Sequence, residues 1–457
     1  TKIRISYKKI VVCSKGIEVI EKKFIVYVKI KHKKNFELGG LQMEKNNDVM
    51  IVSDNAKYLF HSDQVIIINR TNRQWMKVSK ECYDILTQCN GKYSIQGIME
   101  MLADDEDRDY FKNVLDALDE MKLIGKAPTR KVHDVSFAIS NRCNLKCKHC
   151  MVNADSCAKN EFFTTEEIKQ AFRKVIAAKP ENITVTGGEP LVRKDFLEII
   201  TYLRENFYGT IGLMTNATLL NEKNVDVIVS CVNNISISLD GANEETVSLI
   251  RGTNVFQKVL DAIKLLHTKG FKDISISMVV TADNDLYVDD FLELCKKYEC
   301  KPMLRALSLS GQAERNKDLL TKQQLNKQKV SKYKKKEMEK SLEKNFYACS
   351  CDAGATTLTI ESNGEIFPCN LFVEPQYCLG NIREVNDLEE LLQKNPKKFI
   401  SNCLQEFEPD TIAECKNCDI SYFCWSCLHE VKELKDKGLL QQRCQHVKKE
   451  LADIWEV

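Results

Sequence analysis

The feature that most limits what this chain can fold into is its cysteine content, with 20 cysteines in 457 residues. A chain of this length buries an enzyme-sized core without needing disulfide bonds. This number of cysteines therefore indicates extracellular disulfides or metal sites. No charged n-region followed by an apolar h-region opens the chain, and clustered cysteine spacings in a reducing compartment favour metal ligation. We therefore expect a cytoplasmic protein that binds metal.

Charge and hydropathy point to no bulk partner. Lys and Arg number 67 against 65 Asp and Glu, a net charge of +2, so no overall field favours nucleic acid or a membrane surface. The longest apolar stretches, such as Phe24 to Val28, fall far short of the roughly 20 residues that a membrane span needs. We expect neither a nucleic-acid partner nor a membrane partner.

From Asp134 onward the pattern alternates between strand-like and helix-like segments. One of the helices opens with a capping box, Thr164 with Glu167. Six such units predict an α/β domain, a parallel sheet curled into a partial (β/α)6 barrel with its chemistry at the carboxyl ends of the strands. The six predicted strands are Val135-Ser140, Asn182-Thr186, Thr210-Met214, Asn234-Leu239, Asp273-Val280 and Met303-Leu309.

A cysteine triplet follows the first predicted strand: Cys143, Cys147 and Cys150 in the segment CNLKCKHC. Three thiolates on one loop hold three irons of a 4Fe-4S cluster and leave the fourth iron open for the amino and carboxylate groups of S-adenosylmethionine (SAM). The alternative is a structural zinc site, which needs a second ligand pair nearby, whereas only Cys157 follows. The triplet resembles that of the radical SAM superfamily, and the resemblance implies that these cysteines carry the catalysis.

The second predicted strand ends in Gly187-Gly188-Glu189-Pro190. Paired glycines let the backbone approach a ligand, and a carboxylate suits a charged amino group. The segment resembles the GGEP motif that receives the methionine amino group of SAM in radical SAM proteins. The alternative is a plain turn.

Polar residues also end the third and fourth predicted strands: Thr215 and Asn216, then Ser238 and Asp240. Alternation with period two places Ser238 and Asp240 on one face, where short polar groups suit a ribose, and the alternative is capping of the strand ends.

Two further residues complete the predicted SAM site through the same resemblance. Arg251 matches the Arg-Gly stretch after the fourth strand and is expected to reach the SAM carboxylate, although a surface arginine would look the same. His149, inside the triplet, stands where the family usually has an aromatic residue packed on adenine.

A second group of cysteines lies toward the end of the chain: Cys351, Cys369, Cys415, Cys418, Cys424, Cys427 and Cys444. Their spacings resemble those of a SPASM domain, the auxiliary-cluster module of radical SAM maturases. Thr356 to Pro368 reads as a hairpin turning at Ser362-Asn363-Gly364, which would bring Cys351 and Cys369 to one end. The resemblance implies three 4Fe-4S clusters in all, and the two auxiliary ligand sets are Cys351, Cys369 and Cys427 for one cluster and Cys415, Cys418, Cys424 and Cys444 for the other.

Two departures from the SPASM pattern leave the first auxiliary cluster open to alternatives. The family has three residues before the cysteine matched to Cys427, and here there are two. Cys349 lies only two residues before Cys351, so the fourth ligand is Cys349, Cys378 or no protein residue. A zinc ribbon is the structural alternative for the paired cysteines.

Residues 48–128 predict three short strands, Asp48-Ser53, Ala56-His61 and Gln64-Asn69, then three helices, a winged-helix-like order. The last helix carries acidic residues and no basic face, which argues against nucleic acid. The arrangement resembles the PqqD-like recognition domain of peptide-modifying radical SAM enzymes, and this implies that it binds the leader of a precursor peptide.

The predicted domain order has five parts. A Gly-Gly pair shortly before Met43 resembles a translated ribosome-binding site, so one hypothesis starts the native protein at Met43; the other keeps a strand-rich extension that includes Lys23 to Lys31. The predicted parts are an extension at 1–47, the recognition domain at 48–128, the barrel at 134–310, a charged helical connector at 311–347 and the SPASM domain at 348–457.

The combined resemblance predicts a radical SAM maturase of a ribosomal precursor peptide, served by a flavodoxin- or ferredoxin-type reductant. The expected reaction joins a substrate Cys sulfur to a carbon, as in sactipeptides and ranthipeptides. Rival reactions are carbon-carbon crosslinking and formylglycine-type oxidation. A rival of another class is an iron-sulfur electron-transfer or peptide-binding protein.

Overall fold

The computed structural model describes residues 3–5, 11–13, 49–53, 56–125, 131–151, 154, 161–282, 284–318, 348–393, 402–425 and 427–456. The chain divides into two compact units. The first combines Thr1–Thr129, Asn345–Asp352 and Asn395–Val457, and the second combines Arg130–Lys344 and Ala353–Lys394.

The amino-terminal part of the first unit has strands on both sides of its first helix. Within the described residues its elements are β1 Val11–Cys13, β2 Val49–Ile51, β3 Ala56–His61, β4 Gln64–Asn69, β5 Trp75–Ser79, α1 Lys80–Leu86, β6 Asn90–Ser94, α2 Ile95–Met101 and α3 Asp105–Glu120. The predicted β3 and β4 are confirmed residue for residue, whereas β5 and β6 were not predicted. Short strands that flank capped helices carry little periodicity of their own, so the sequence pattern missed them.

Four of these strands form one antiparallel sheet in the order β1-β5-β4-β3. Helix α3 begins at Asp105 because the Asp104 side chain accepts a hydrogen bond from the Asp107 backbone N–H and caps the helix. Phe111 and Val114 from α3 pack in the same apolar core as Val65 and Ile67 from β4. This burial fixes the helix against the sheet.

The second unit contains the predicted barrel. Its elements run β7 Asp134–Ala138, α4 Thr165–Ala177, β8 Asn182–Thr186, α5 Phe196–Asn206, β9 Thr210–Thr215, α6 Val225–Cys231, β10 Asn234–Ser238, α7 Glu244–Arg251, α8 Phe256–Thr268, β11 Ile274–Val280, α9 Val288–Lys297, β12 Lys301–Ala306 and α10 Gln312–Arg315. Strands β7 to β12 pair in parallel in chain order. The predicted α/β class and partial barrel are confirmed.

Alternation along the strands separates a helix-covered layer from a polar layer. In β8, Ile183 and Val185 are buried in the core that the helices cover, while Asn182, Thr184 and Thr186 on the other face are half-buried. The predicted capping box of α4 is present, with Thr164 and Glu167 bonded in both directions. The fold thus leaves small polar side chains facing the inside of the curled sheet.

Three more strands extend this sheet beyond β7: β13 Thr357–Ile360, β14 Glu365–Phe367 and β15 Gly380–Asn381. Strand β13 runs parallel to β7 and antiparallel to β14. The predicted hairpin is therefore confirmed, and Gly364 at its turn has a positive φ of 94°. The helix Leu388–Gln393 follows.

The carboxyl-terminal part of the first unit contains the helices Leu428–Asp436 and Leu440–Leu451. It shares one apolar core with the four-stranded sheet β1-β5-β4-β3, which we call the recognition-like sheet. In this core Ile66 and Trp75 pack with Ile420, Phe423 and Trp455. The two sequence-distant parts of this unit are consequently one packed body.

Several predictions fall on residues outside those described. These are most of the extension at 1–47, including the strand at Lys23 to Lys31, and the connector from 319 to 347. The predicted domain boundaries stay predictions. In the part of the chain that the structure describes, no helix is long and apolar enough to cross a membrane.

Candidate active site and cysteine clusters

The cysteine triplet lies on the loop that follows β7. Backbone and side-chain N–H groups surround its sulfurs: the Leu145 N–H lies 3.4 Å from the Cys143 sulfur, and Asn216 Nδ2 lies 3.9 Å from it. The pKa of Cys143 is raised to about 11, mainly by burial; Glu189, Cys147 and Cys150 add to the rise, and the Leu145 N–H opposes it. The three predicted thiols are thus close enough to interact electrostatically.

The loop is held from two sides. The Lys148 backbone N–H donates to the Ile250 carbonyl at 2.9 Å, and the Gln312 N–H donates to the Cys150 carbonyl at 2.8 Å. Gly311 has a φ of 58°, and a Cβ there would lie 2.5 Å from the Met151 carbonyl oxygen. The segment after β12 can therefore pass this close to the cysteine loop only with glycine at that position.

The GGEP segment packs directly against the start of the cysteine loop. Gly188 N–H donates to the Ser140 carbonyl and Glu189 N–H donates to the Arg142 carbonyl, both at 2.8 Å. A Cβ on Gly188 would lie 2.4 Å from the Arg142 carbonyl oxygen. The second glycine is needed for this close backbone approach.

The Glu189 carboxylate joins the GGEP segment to the end of β9. It is fully buried and accepts hydrogen bonds from the Asn216 backbone N–H at 2.6 Å and the Thr215 hydroxyl at 2.7 Å. Burial raises the pKa of Glu189, and these donors oppose the rise. Three predicted residues from two strands are thereby brought together.

Asp240 is the centre of a second buried network. Its carboxylate lies 2.6 Å from Arg251 Nε and 2.5 Å from His149 Nε2, and accepts from the Val279 backbone N–H at 2.6 Å. Burial alone would raise the pKa of Asp240, but Arg251 and His149 outweigh it and hold the pKa at about 2. Arg251 Nη1 also lies 3.7 Å from the Cys147 sulfur.

The structure corrects one step of the sequence argument about this strand end. Strand β10 ends at Ser238, and the backbone at Asp240 is left-handed with a φ of 67°. Alternation therefore stops before Asp240, and its carboxylate is engaged by Arg251 and His149. Ser238 is half-buried at the end of the strand.

Candidate polar residues that the sequence argument missed lie after the fifth and sixth strands. Among the described residues, the hydroxyls of Thr281, Ser308 and Ser310 are buried and have no hydrogen-bond partner. An unpartnered buried hydroxyl is costly, so these groups suit a polar ligand at the strand ends. The signal was available, because they follow the rule already applied to Thr215 and Ser238.

The auxiliary cysteines are divided between the two compact units. In the first unit, the pKa of Cys415 is raised to about 12, mainly by burial and in addition by Cys424, Cys444 and Cys418. These four predicted ligands of one cluster are therefore close neighbours. Cys369 lies in the second unit and Cys351 in the first.

Cys349 is placed near the group that contains Cys424. It is buried, and its sulfur accepts a hydrogen bond from the Trp425 N–H at 3.3 Å. Burial, and to a smaller extent Cys424, raise its pKa to about 12, while the Trp425 N–H opposes the rise. Within the described residues, no three His, Cys, Asp or Glu side chains converge as they would around a single metal ion. The individual ligand roles stay predictions.

The residues present fit the cofactors that the motifs imply. The donor set of the triplet is three thiols, and N–H groups lie near the sulfurs of Cys143 and Cys147, which suits an iron-sulfur cluster. The orphaned hydroxyls of Thr281, Ser308 and Ser310 provide polar partners for a ligand at the same end of the strands.

Comparison with protein families agrees with this geometry. Residues 137–295 match the radical SAM superfamily, and residues 349–419 match the iron-sulfur cluster-binding SPASM domain. The chain therefore contains a radical SAM domain. It is a radical SAM enzyme with a SPASM domain, so SAM and 4Fe-4S clusters are its cofactors.

Two relatives illustrate the range of this family. A GTP 3',8-cyclase of Synechocystis sp. is 27% identical over 255 residues, which cover 55% of this chain and 78% of the relative. The mycofactocin maturase MftC of Mycolicibacterium smegmatis is 25% identical over 299 residues, which cover 62% of this chain and 74% of the relative.

A solved structure shares the fold over most of the chain. Streptococcus suis SuiB bound to S-adenosylmethionine aligns with a TM-score of 0.51 and 16% identity, covering 85% of this chain and 97% of SuiB. At this identity the likeness concerns the fold alone.

Proposed function

We propose that this radical SAM enzyme modifies a ribosomally made precursor peptide and forms thioether bonds from a substrate Cys sulfur to a carbon. The observation that carries the proposal is the first compact unit, in which the recognition-like sheet and the auxiliary cysteine segments share one core. An enzyme that acts on a guided peptide needs recognition and chemistry in a fixed relation. The mycofactocin maturase relative supports a maturation role.

In this proposal Cys143, Cys147 and Cys150 hold the radical SAM cluster. When bound, the reduced cluster and SAM would supply radical chemistry that removes a hydrogen atom from a substrate carbon. The cofactor supplies the difficult chemistry, and the chain supplies placement. Gly187, Gly188, Glu189 and Pro190 form the side of the site that faces the methionine portion.

The second network fixes the other side of the proposed SAM site. Asp240 orients both His149 and Arg251, so the imidazole and the guanidinium are held before a ligand arrives. Arg251 beside Cys147 places a buried cation next to the cluster. Thr215, Asn216 and Ser238 border the same strand ends.

Two auxiliary clusters complete the proposed set of three. Cys415, Cys418, Cys424 and Cys444 hold one of them, which the mutual influence of these thiols supports. Cys351, Cys369 and Cys427 hold the other. The position of Cys349 beside Cys424 supports leaving one iron of that other cluster open to a substrate thiolate.

The leader of the precursor peptide is proposed to bind residues 48–128 by adding a strand to an edge of the small sheet. Within the described residues, β3 is the last strand in the order β1-β5-β4-β3. Phe60 on β3 is 50% exposed, and its ring packs edge-on against Tyr83. An exposed aromatic at a strand edge is a suitable anchor for an apolar leader residue.

Mass spectrometry of the neighbouring precursor peptide after anaerobic reaction tests the proposed reaction. Thioether formation removes two hydrogens per crosslink together with one alkylatable thiol. A crosslink that leaves every thiol alkylatable indicates carbon-carbon bonding, and loss of the sulfur atom indicates formylglycine. A peptide that is bound while SAM stays uncleaved supports the electron-transfer or binding alternative.

Iron analysis tests the proposed cofactors. We expect about twelve irons per chain after anaerobic reconstitution, since three cubane clusters hold four each. Replacing Cys143, Cys147 and Cys150 together by Ala should leave about eight irons and abolish 5'-deoxyadenosine formation. SAM cleavage that survives this change contradicts the assignment.

A further inference from the structure

One buried arginine of the recognition-like sheet has no part in the site described so far. Arg70 follows β4 and is 0% exposed. Its guanidinium donates to the Glu408 carboxylate and to the Cys349 carbonyl oxygen, both at 2.7 Å. It also lies 4.8 Å from the centre of the Trp425 ring. A fully buried charge is costly, so this set of partners must be maintained for the unit to fold.

Arg70 belongs to the turn Asn69–Gln74, which we call the arginine turn. Internal bonds fix its shape: Asn69 N–H donates to the Gln74 carbonyl at 2.9 Å, and the Thr71 N–H donates to Asn69 Oδ1 at 2.8 Å. Arg73 has a left-handed φ of 66°, which a residue other than glycine rarely adopts. A strained and well-braced turn positions its side chains before anything binds.

Both arginines of the turn contact the same short segment, Cys349-Ser350-Cys351. Arg70 bonds the Cys349 carbonyl, and Arg73 Nε donates to the Ser350 hydroxyl at 2.6 Å. Consecutive residues of the segment are therefore clamped by one turn. The Cys349 carbonyl and the Ser350 side chain are fixed in this way.

The arginine turn also contacts the segment around Cys424, another auxiliary cysteine. Arg70 stacks on Trp425, the residue after Cys424. The Trp425 N–H donates to the Cys349 sulfur, and the Cys349 N–H donates to the Tyr422 carbonyl at 2.6 Å. The arginine turn thus braces the segments before Cys351 and around Cys424 against each other.

We propose that Arg70 and Arg73 are positioning residues for the auxiliary clusters. The recognition domain would then help to place both Cys351 of one cluster and Cys424 of the other. This inference rests on the proposed function, because it needs those cysteines to be ligands. The turn joins β4 and β5 of the sheet proposed to bind the leader. Peptide recognition and cluster placement accordingly share one structural element.

The test uses the full chain with Cys143, Cys147 and Cys150 replaced by Ala, so that only auxiliary clusters report. Arg70→Gln removes the buried charge, and Arg70→Lys retains it. Arg73→Gln changes an exposed residue, so we expect the protein to fold with this substitution. Lys77→Met is the matched control, since it removes another buried cation, which joins the same sheet to the Trp455 carbonyl at 2.8 Å. Iron content, the electron paramagnetic resonance spectrum and the midpoint potential are measured beside thermal stability.

We expect Arg70→Gln to lose about four of about eight irons. Arg73→Gln should keep the irons but alter the spectrum and lower the midpoint potential, because loss of a nearby cation makes the cluster harder to reduce. Arg70→Lys should retain most of the iron, and Lys77→Met should change stability alone.

Arginine variants that match Lys77→Met in spectrum and potential overturn the positioning role and leave the proposed function standing. If Arg70→Gln does not fold, Arg73→Gln alone decides by the same comparison. A parent protein without auxiliary iron overturns both the positioning role and the proposed cofactor set.

Discussion

The sharpest prediction concerns Gly188, where an added methyl group meets fixed backbone. In Gly188→Ala the Cβ would lie 2.4 Å from the Arg142 carbonyl oxygen and 2.9 Å from its carbon. Ordinary contact begins near 3.5 Å, so the GGEP segment has to move by about 1 Å. The backbone φ of Gly188 is not positive, so the cost of the Gly188→Ala substitution is steric.

The displacement also breaks a hydrogen bond. Glu189 N–H donates to the same Arg142 carbonyl at 2.8 Å, and a shift of about 1 Å takes it out of bonding range. Overpacking costs about 1–3 kcal/mol and the lost bond about 1 kcal/mol. If about 2 kcal/mol of this has to be reversed on cofactor binding, SAM affinity falls roughly thirtyfold.

Calorimetric SAM binding to the reconstituted protein measures this loss, with iron content as the check that the cluster is intact. Gly270→Ala is the control, because Gly270 has a φ of +76° and no atom within 4 Å of its added Cβ. It should lose about 1 kcal/mol of stability and no SAM affinity. Gly188→Ala with full iron and SAM affinity within about threefold of the parent would refute the reasoning.

Three other predictions follow from the same structure. Cys349→Ala should leave crosslinking nearly unchanged, whereas Cys369→Ala should stop crosslinking while SAM cleavage continues. A structure with the Cys349 sulfur about 2.3 Å from iron would contradict the proposal that one iron of this cluster is open to a substrate thiolate. Asp240→Asn leaves Arg251 buried without its charge partner and should cost about 3–5 kcal/mol in unfolding measurements, with Asp240→Asn plus Arg251→Gln costing less than the sum. A leaderless peptide should be modified more slowly than the full precursor by the intact enzyme, and Phe60→Glu should abolish the difference; equal rates in the parent enzyme contradict leader recognition.

The structure also changes how the proposed recognition domain at residues 48–128 has to be tested. Removing residues 48–128 would expose Ile420, Phe423 and Trp455, which pack against Ile66 and Trp75. Such a deletion would disturb the auxiliary cysteine segments together with recognition, so a surface substitution such as Phe60→Glu is the cleaner experiment.

The sequence by itself determined the fold class and the main motifs. Hydrophobic alternation and helix caps are local signals, and they gave the barrel strands, the Thr164 capping box and the hairpin at Gly364. Cysteine spacing and the GGEP segment are equally local, because their chemistry depends on neighbours within a few residues.

Only the tertiary structure decided which distant groups meet. Glu189 reaches Thr215, and Asp240 pairs with both His149 and Arg251; such partners are set by strand register and by one left-handed residue. The contact of Arg70 with Cys349 spans 279 positions. No periodicity in the sequence records it, because it arises from the packing of two segments into one core, and packing depends on the complete fold.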